Sequence, residues 1–225
     1  MKALYRLTIV LIVLGFVGTD IFLVLGPDIV PTHYDFVGEV DRMGSKYGYI
    51  LFPFISAGIG AIFLLLAKQA RTKKWESHAL TEKIFLVTAI GEVLLFHGKG
   101  GSAMWEAMSY AQRAAIPVRP AIDWIRFLSF QIGVLMMILG SVMPGVRKNA
   151  VWGVRTRWSM SSNEVWQKSQ RFGGFASVTA GALLVVAAVF LEGAKNLLFQ
   201  IVVLALWLAV CIAASYRYHK AWESV

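Results

Sequence analysis

Long apolar runs, each close to the length of a bilayer crossing, dominate this chain and leave it few ways to fold. Six such runs are read at about 4–25, 48–67, 79–97, 124–143, 173–192 and 197–216. Each is near the ~20 residues that an α-helix needs to cross ~30 Å of hydrocarbon. Inside lipid every backbone polar group must be satisfied within its own segment, so runs of this kind become helices. The expected fold class is therefore all-α: a polytopic membrane helix bundle of about six transmembrane helices with a small extracellular cap loop.

Composition agrees, with 57% hydrophobic and 16% charged residues against about 25% charged in soluble domains. A net charge of +9 raises the question of nucleic acid, but the placement of the charges follows membrane orientation, and no direct nucleic-acid binding is expected. Cys211 is the whole cysteine inventory, which excludes an internal disulfide and a cysteine-based zinc site. Lys2 and Arg6 followed by Leu7 to Leu25 resemble the start of a signal peptide. The apolar stretch is longer than an h-region of about 7–15 residues and no small-x-small site follows, so it is read as an uncleaved first span.

The third run is the weakest. Its apolar core, Ile84 to Phe96, contains Glu92, and it reaches bilayer length only with Glu82, Lys83, His97 and Lys99 near the headgroups. A re-entrant or tilted helix is the alternative. Lysine and arginine orient the bundle: fifteen fall on the segments read as inner and seven on those read as outer, which places both termini in the cytoplasm.

Three segments lie outside the runs. In the first outer loop, Gly26 to Tyr47, Pro27 and Pro31 disfavour helix, and alternation from Val30 to Phe36 predicts a short strand followed by a turn at Val37-Gly38. Asp41 is expected to start the second helix, with Arg42 or Lys46 pairing with an acid and His33 making a local hydrogen bond. The second outer loop opens on Gly98, Gly100 and Gly101. It then sets Met104, Ala107, Met108 and Ala111 at helical spacing beside Trp105, which suggests a short amphipathic helix on the outer leaflet. Asp123 is placed to cap the fourth span. The third segment, Met143 to Gly174, is cytoplasmic in this reading. It interleaves Arg147, Lys148, Arg155 and Arg157 with Trp152 and Trp158, and Ser161 with Glu164 forms a capping-box pattern.

Two of these loops carry a resemblance. Pro31-Thr32-His33 followed by Gly38, Asp41, Arg42, Gly44, Ser45 and Lys46 resembles one signature of the SdpI family of bacterial membrane proteins, in its N-terminal DUF1648 segment. Met143-Pro144, Asn149, Gly153, Arg155-Thr156, Trp158, Asn163-Glu164, Trp166, Arg171 and Gly173 resemble the family's cytoplasmic signature. The chain departs from the pattern at Met43, at Arg157 where proline is frequent, and at Ser169-Gln170 where Thr-His is common. The resemblance divides the chain into a DUF1648-like helical pair, 1–67, with its extracellular loop 26–47; a third span and external amphipathic segment, 68–123; and an SdpI-like part, 124–225, with the basic-Trp loop 143–174. It implies a multi-pass protein of the bacterial plasma membrane that confers immunity to a secreted killing peptide and, in some operons, captures a cytosolic transcriptional repressor.

The candidate functional residues follow from both readings. On the inner loop they are Asn149, Gly153, Arg155, Thr156, Trp158, Asn163, Glu164, Trp166 and Arg171. Headgroup anchoring, docking of a cytosolic partner and an inner gate are the alternatives for this loop. On the outer cap the candidates are Pro31, His33, Gly38, Asp41, Arg42 and Lys46. His33, Asp35, Glu39 and Asp41 match no established metal spacing, so no cofactor or metal is expected. Glu92 is the intramembrane polar residue, read either as glue between helices or as part of a proton-coupled transport path. No P-loop, G-x-S-x-G, H-E-x-x-H or Rossmann pattern occurs, and the chain is not expected to be an enzyme.

Overall fold

A computed structural model describes residues 1–35, 40–72, 78–112, 124–149 and 153–224. The described chain is overwhelmingly helical: α1 Lys2–Leu25, α2 Leu51–Thr72, α3 His78–Gln112, α4 Trp124–Val142, α5 Asn163–Phe190 and α6 Gly193–Glu223. Two strands, β1 Ile29–Tyr34 and β2 Val40–Ser45, form an antiparallel hairpin between α1 and α2. Two compact units result, one of residues 1–72 and 82–123, the other of residues 73–81 and 124–225.

Among the described residues five helices are long and apolar enough to cross a membrane: Lys2–Leu25, Lys46–Thr72, Trp124–Gly145, Asn163–Phe190 and Gly193–Glu223. Their outward faces are apolar, as exposed Val13, Leu14, Leu65, Val186 and Leu206 show, which is what a hydrocarbon solvent requires. The remaining helix, α3, is the longest at 35 residues and buries Glu82, Glu92, Lys99 and Glu106.

In the first unit the hairpin folds for the reason the sequence suggests, since Pro27 and Pro31 cannot continue a helix. The register shifts after Pro31 and again at His33, as a residue without an N–H disturbs the ladder. Asp41 does not start the second helix: it lies in β2, and a short 3-10 turn, Lys46–Ile50, with the Ser45 hydroxyl accepting from Tyr47 N–H, leads into α2. The turn at Val37-Gly38 and the cap at Asp123 lie outside the described residues.

The expected break at Gly98, Gly100 and Gly101 is absent, because α3 runs straight through them. Glycine inside a helix costs only about 1 kcal/mol, which the burial of this helix against Phe22, Val30 and Tyr49 outweighs. The face carrying Met104, Ala107 and Met108 packs on Phe22, Val30 and Tyr49 instead of forming a separate leaflet-bound helix. Tyr49 Oη donates to the carbonyls of Pro31 and Ala103, tying hairpin and α3 together.

In the second unit α5 is the centre. Trp166, Gln170, Gly174, Ser177, Gly181, Leu184 and Ala188 recur every three or four residues and are all buried; this is one helix face. Its small side chains admit α4 at close range. The far end of α5 is closed by Arg126, whose guanidinium donates to the carbonyls of Ala188 and Val189 and to Glu192. That satisfies orphan carbonyls where the helix dipole is negative. Ser129 Oγ bridges α4 to Asn196 and Gln200 of α6, all three buried.

Candidate functional site

The segment from Met143 to Gly174 is not an open connection. Met143–Gly145 makes one 3-10 turn at the end of α4, and residues 153–162 fold back over the first turns of α5. Ser162, one residue later than the capping pattern suggested, is the N-cap: its hydroxyl accepts from Val165 N–H. Ser161 is left to donate to Trp158 O and to contact His219 Nδ1 at 3.0 Å. Glu164 pairs with Lys168 instead of reaching back to the cap. From Asn163, α5 continues unbroken through the expected start of the fifth span at 173.

Two buried side chains hold the segment down. Trp166 Nε1 donates to Val146 O at 2.7 Å. Gln170 accepts from Val154 N–H at 2.9 Å and donates to Val154 O at 3.1 Å, imitating one rung of a sheet. Ser159, fully buried, adds a bond to Val154 O and exchanges bonds with Thr156. Thr156 Oγ1 lies 2.9 Å from Ser215 Oγ and so fastens the segment to α6. Trp158 is held between Tyr216, at 5.1 Å, and the Arg157 guanidinium, at 4.8 Å from its ring.

Beneath this fold lies a cavity of about 520 Å³ among α4, α5 and α6. Gly153, Val154, Arg155 and Thr156 form its polar end, and Met136, Leu139, Met143, Trp207, Leu208 and Cys211 are among its apolar walls. The structure thus gathers Gly153, Arg155, Thr156, Trp158 and Trp166 into one folded site. Asn149 turns on itself, donating to Arg147 O. Asn163, Glu164 and Arg171 are exposed along the first turns of α5, an outward polar face that does not converge on the cavity. Trp152 lies outside the described residues.

The residues that sequence reasoning passed over are Gln170, Ser159, Ser215 and Cys211. Gln170 stood out only as a departure from a family pattern, and nothing local marks Ser215, 59 residues from its partner Thr156.

The hairpin is a second folded element. Nδ1 of His33 and Oδ1 of Asp41 are 2.6 Å apart, both half-exposed. Thr32 Oγ1 donates to Arg42 O. Lys46, buried, donates to Gly26 O at 3.0 Å and pairs with Asp28 at 2.9 Å. Pro31 is buried and its carbonyl receives Tyr49. Gly38 and Glu39 lie outside the described residues, and among those described no group of three or more metal-ligating side chains forms. Glu92 is 2% exposed and shares one stripe of α3 with Lys99 and Glu106, at intervals of seven residues.

Apolar spans joined by a folded hairpin and a folded interhelical segment define a multi-pass membrane protein. Residues 145–216 match the SdpI/YfhL protein family and residues 10–57 match a domain of unknown function, DUF1648. Over 89 residues the chain is 32% identical to the Immunity protein SdpI of Bacillus subtilis strain 168, covering 40% of this chain and 42% of that protein. Over these segments the chain is similar to the SdpI family. Its match therefore spans less than half the length of that curated relative. No solved structure matches it.

Proposed function

We propose that the protein gives its host immunity to a secreted, membrane-active killing peptide. The observation that carries this reading is the similarity to a protein named for immunity. Matches to both family models support it. In the orientation that the positive-inside rule favours, both termini and the folded segment 143–174 are cytoplasmic and the hairpin 26–47 faces outward. The hairpin is then the first structured surface an arriving peptide meets, and protection works by binding instead of by a reaction. On the inner side, the exposed face of Asn163, Glu164 and Arg171 is available to a cytosolic repressor, whose capture would couple immunity to transcription.

A killing assay tests the reading. Cells sensitive to the cognate peptide should survive when this protein is expressed. Substitution of Arg155 or Trp158 should lower survival at unchanged protein level. Equal sensitivity with and without the protein would end the immunity reading.

A second reading, a small proton-coupled transporter or channel, is favoured by one observation: Glu92 is buried on the same stripe as Lys99 and Glu106. Buried charges in a span commonly mark ion or proton paths. Reconstituted vesicles should then show flux that Glu92→Gln abolishes; wild-type vesicles without flux would remove this reading.

A further inference from the structure

We propose that the cavity beneath residues 153–156 binds one anionic phospholipid, with an acyl chain among α4, α5 and α6 and the phosphate at Arg155. The walls favour hydrocarbon over water. Their polar groups are already matched, since Trp207 Nε1 donates to Ser177 Oγ at 3.0 Å and Ser177 Oγ in turn approaches the Met143 sulfur. Apolar walls disfavour ordered water, and a volume of about 520 Å³ lies within the ~300–1,000 Å³ of small-molecule sites. Leu208 and Ile212 line the cavity and are also exposed on the outer surface of α6. The cavity therefore opens sideways, where a bilayer puts acyl chains.

The polar end selects the headgroup. Thr156 is committed to Ser159 and Ser215, and Arg157 lies on Trp158. Arg155 lines the mouth, is exposed, and has no carboxylate partner among the described residues. It follows Val154, which packs on Gln170 and Gly173 of α5, where the polar first turns of that helix give way to its apolar run, and this boundary is headgroup depth. A cationic mouth over an apolar slot between spans is the arrangement that holds anionic lipids. A zwitterionic lipid offers the same chain without the net charge.

The test is native mass spectrometry of the full-length protein in detergent, titrated with equal amounts of dioleoyl phosphatidylglycerol and dioleoyl phosphatidylcholine. Wild type should retain phosphatidylglycerol in preference. Arg155→Gln should reduce that preference by about fivefold, the ratio equivalent to about 1 kcal/mol for one basic residue at a lipid surface. Lys195→Gln, at the other end of α6, should leave it unchanged. Leu139→Trp, which fills the slot, should lower retention of both lipids, and Arg155→Gln, at an exposed position, keeps the test valid if that bulkier variant does not fold. An unchanged preference in Arg155→Gln, or none in wild type, overturns the proposal. So does glycerol phosphate competing mole for mole with the intact lipid, which would mark an anion site without a chain.

Discussion

Gln170 holds Val154 by both ends of its amide, accepting from the backbone N–H at 2.9 Å and donating to the carbonyl at 3.1 Å. Both residues are buried, so neither backbone group has water as an alternative partner. Gln170→Leu keeps comparable bulk and removes both bonds. The Val154 carbonyl retains Ser159, while its N–H is orphaned, at a cost of about 1–3 kcal/mol. Thermal unfolding in detergent should show a lowered midpoint, and protease cleavage within 153–162 should appear earlier than elsewhere. Gln170→Glu should be worse still, because a carboxylate can accept from the N–H but faces the carbonyl oxygen with nothing to donate. Equal midpoints for wild type and Gln170→Leu would show that this pairing does not hold the segment.

Gly153 is required by the same contact. Its φ of +116° is a conformation that side-chain-bearing residues rarely adopt. A Cβ there would also stand 2.5 Å from Gln170 Oε1 and 3.3 Å from the Trp166 ring. Gly153→Ala is expected to destabilise by about 1–3 kcal/mol through strain alone, and to lose protection in the killing assay with it. Made in a Gln170→Ala background, which vacates the clashing amide but carries the loss of its own two bonds, Gly153→Ala should still add the cost of the backbone strain. No added cost in that background would mean that the clash, not the dihedral, fixes glycine at this position.

Much of this was legible in the sequence, for a physical reason. Bilayer-length apolar runs and paired prolines act locally, so α1, α2, α4 and the strand around Pro31 could be read within about five residues, while α6 starts four residues before and ends seven residues past the run that announces it. What failed was also local in form but tertiary in cause. Ser161 and Ser162 are both competent caps, and the choice of Ser162 follows from Ser161 being engaged with Trp158 and His219. Gly98, Gly100 and Gly101 signal a break until the packing of Ala103 and Ala107 on Phe22, Val30 and Tyr49 outweighs their helix cost. Asp41 reads as a helix cap until it pairs with His33 across the hairpin. The cavity was invisible because its lining comes from α4, α5, α6 and the folded segment at once, and no spacing within one helix records that. Glycine at 153 was read as part of a pattern, whereas its partner Gln170 drew notice only for departing from it.

Lys46 and Asp28 show why an ion pair need not be symmetrical. The lysine side chain is 10% exposed and the aspartate 92%, so the carboxylate is solvated and its attraction is weak. The lysine also donates to Gly26 O, where the chain leaves α1. Lys46→Met should therefore loosen the start of the hairpin by about 1 kcal/mol, the cost of a part-buried carbonyl losing a charged donor. Asp28→Asn should leave the thermal midpoint within error. Hydrogen exchange at residues 29–34 and 40–45 reports the difference directly, and similar exchange rates in the two variants would contradict this assignment.

The strongest test of the second unit is the seam between α4 and α5. A Cβ on Gly133 would meet Gly181 O at 2.6 Å, and one on Gly140 would meet Gly174 O at 2.7 Å; the reciprocal positions on α5 clash with the carbonyls of Gly133 and Gly140 in turn. Two pairs, seven residues apart on each helix and running in opposite directions, thus bring the backbones together where no side chain fits. In lipid there is no hydrophobic force to press helices together, so close backbone packing of this kind carries much of the association. The obstructing atoms are backbone oxygens, which cannot rotate away, and even one methyl must push the helices apart. Gly133→Ala and Gly181→Ala should each lower stability by about 1–3 kcal/mol, as overpacking does. Because either methyl opens the same seam, the double variant should cost clearly less than the two singles added together. A fully additive double variant, or singles that melt with wild type, would place the α4–α5 contact elsewhere.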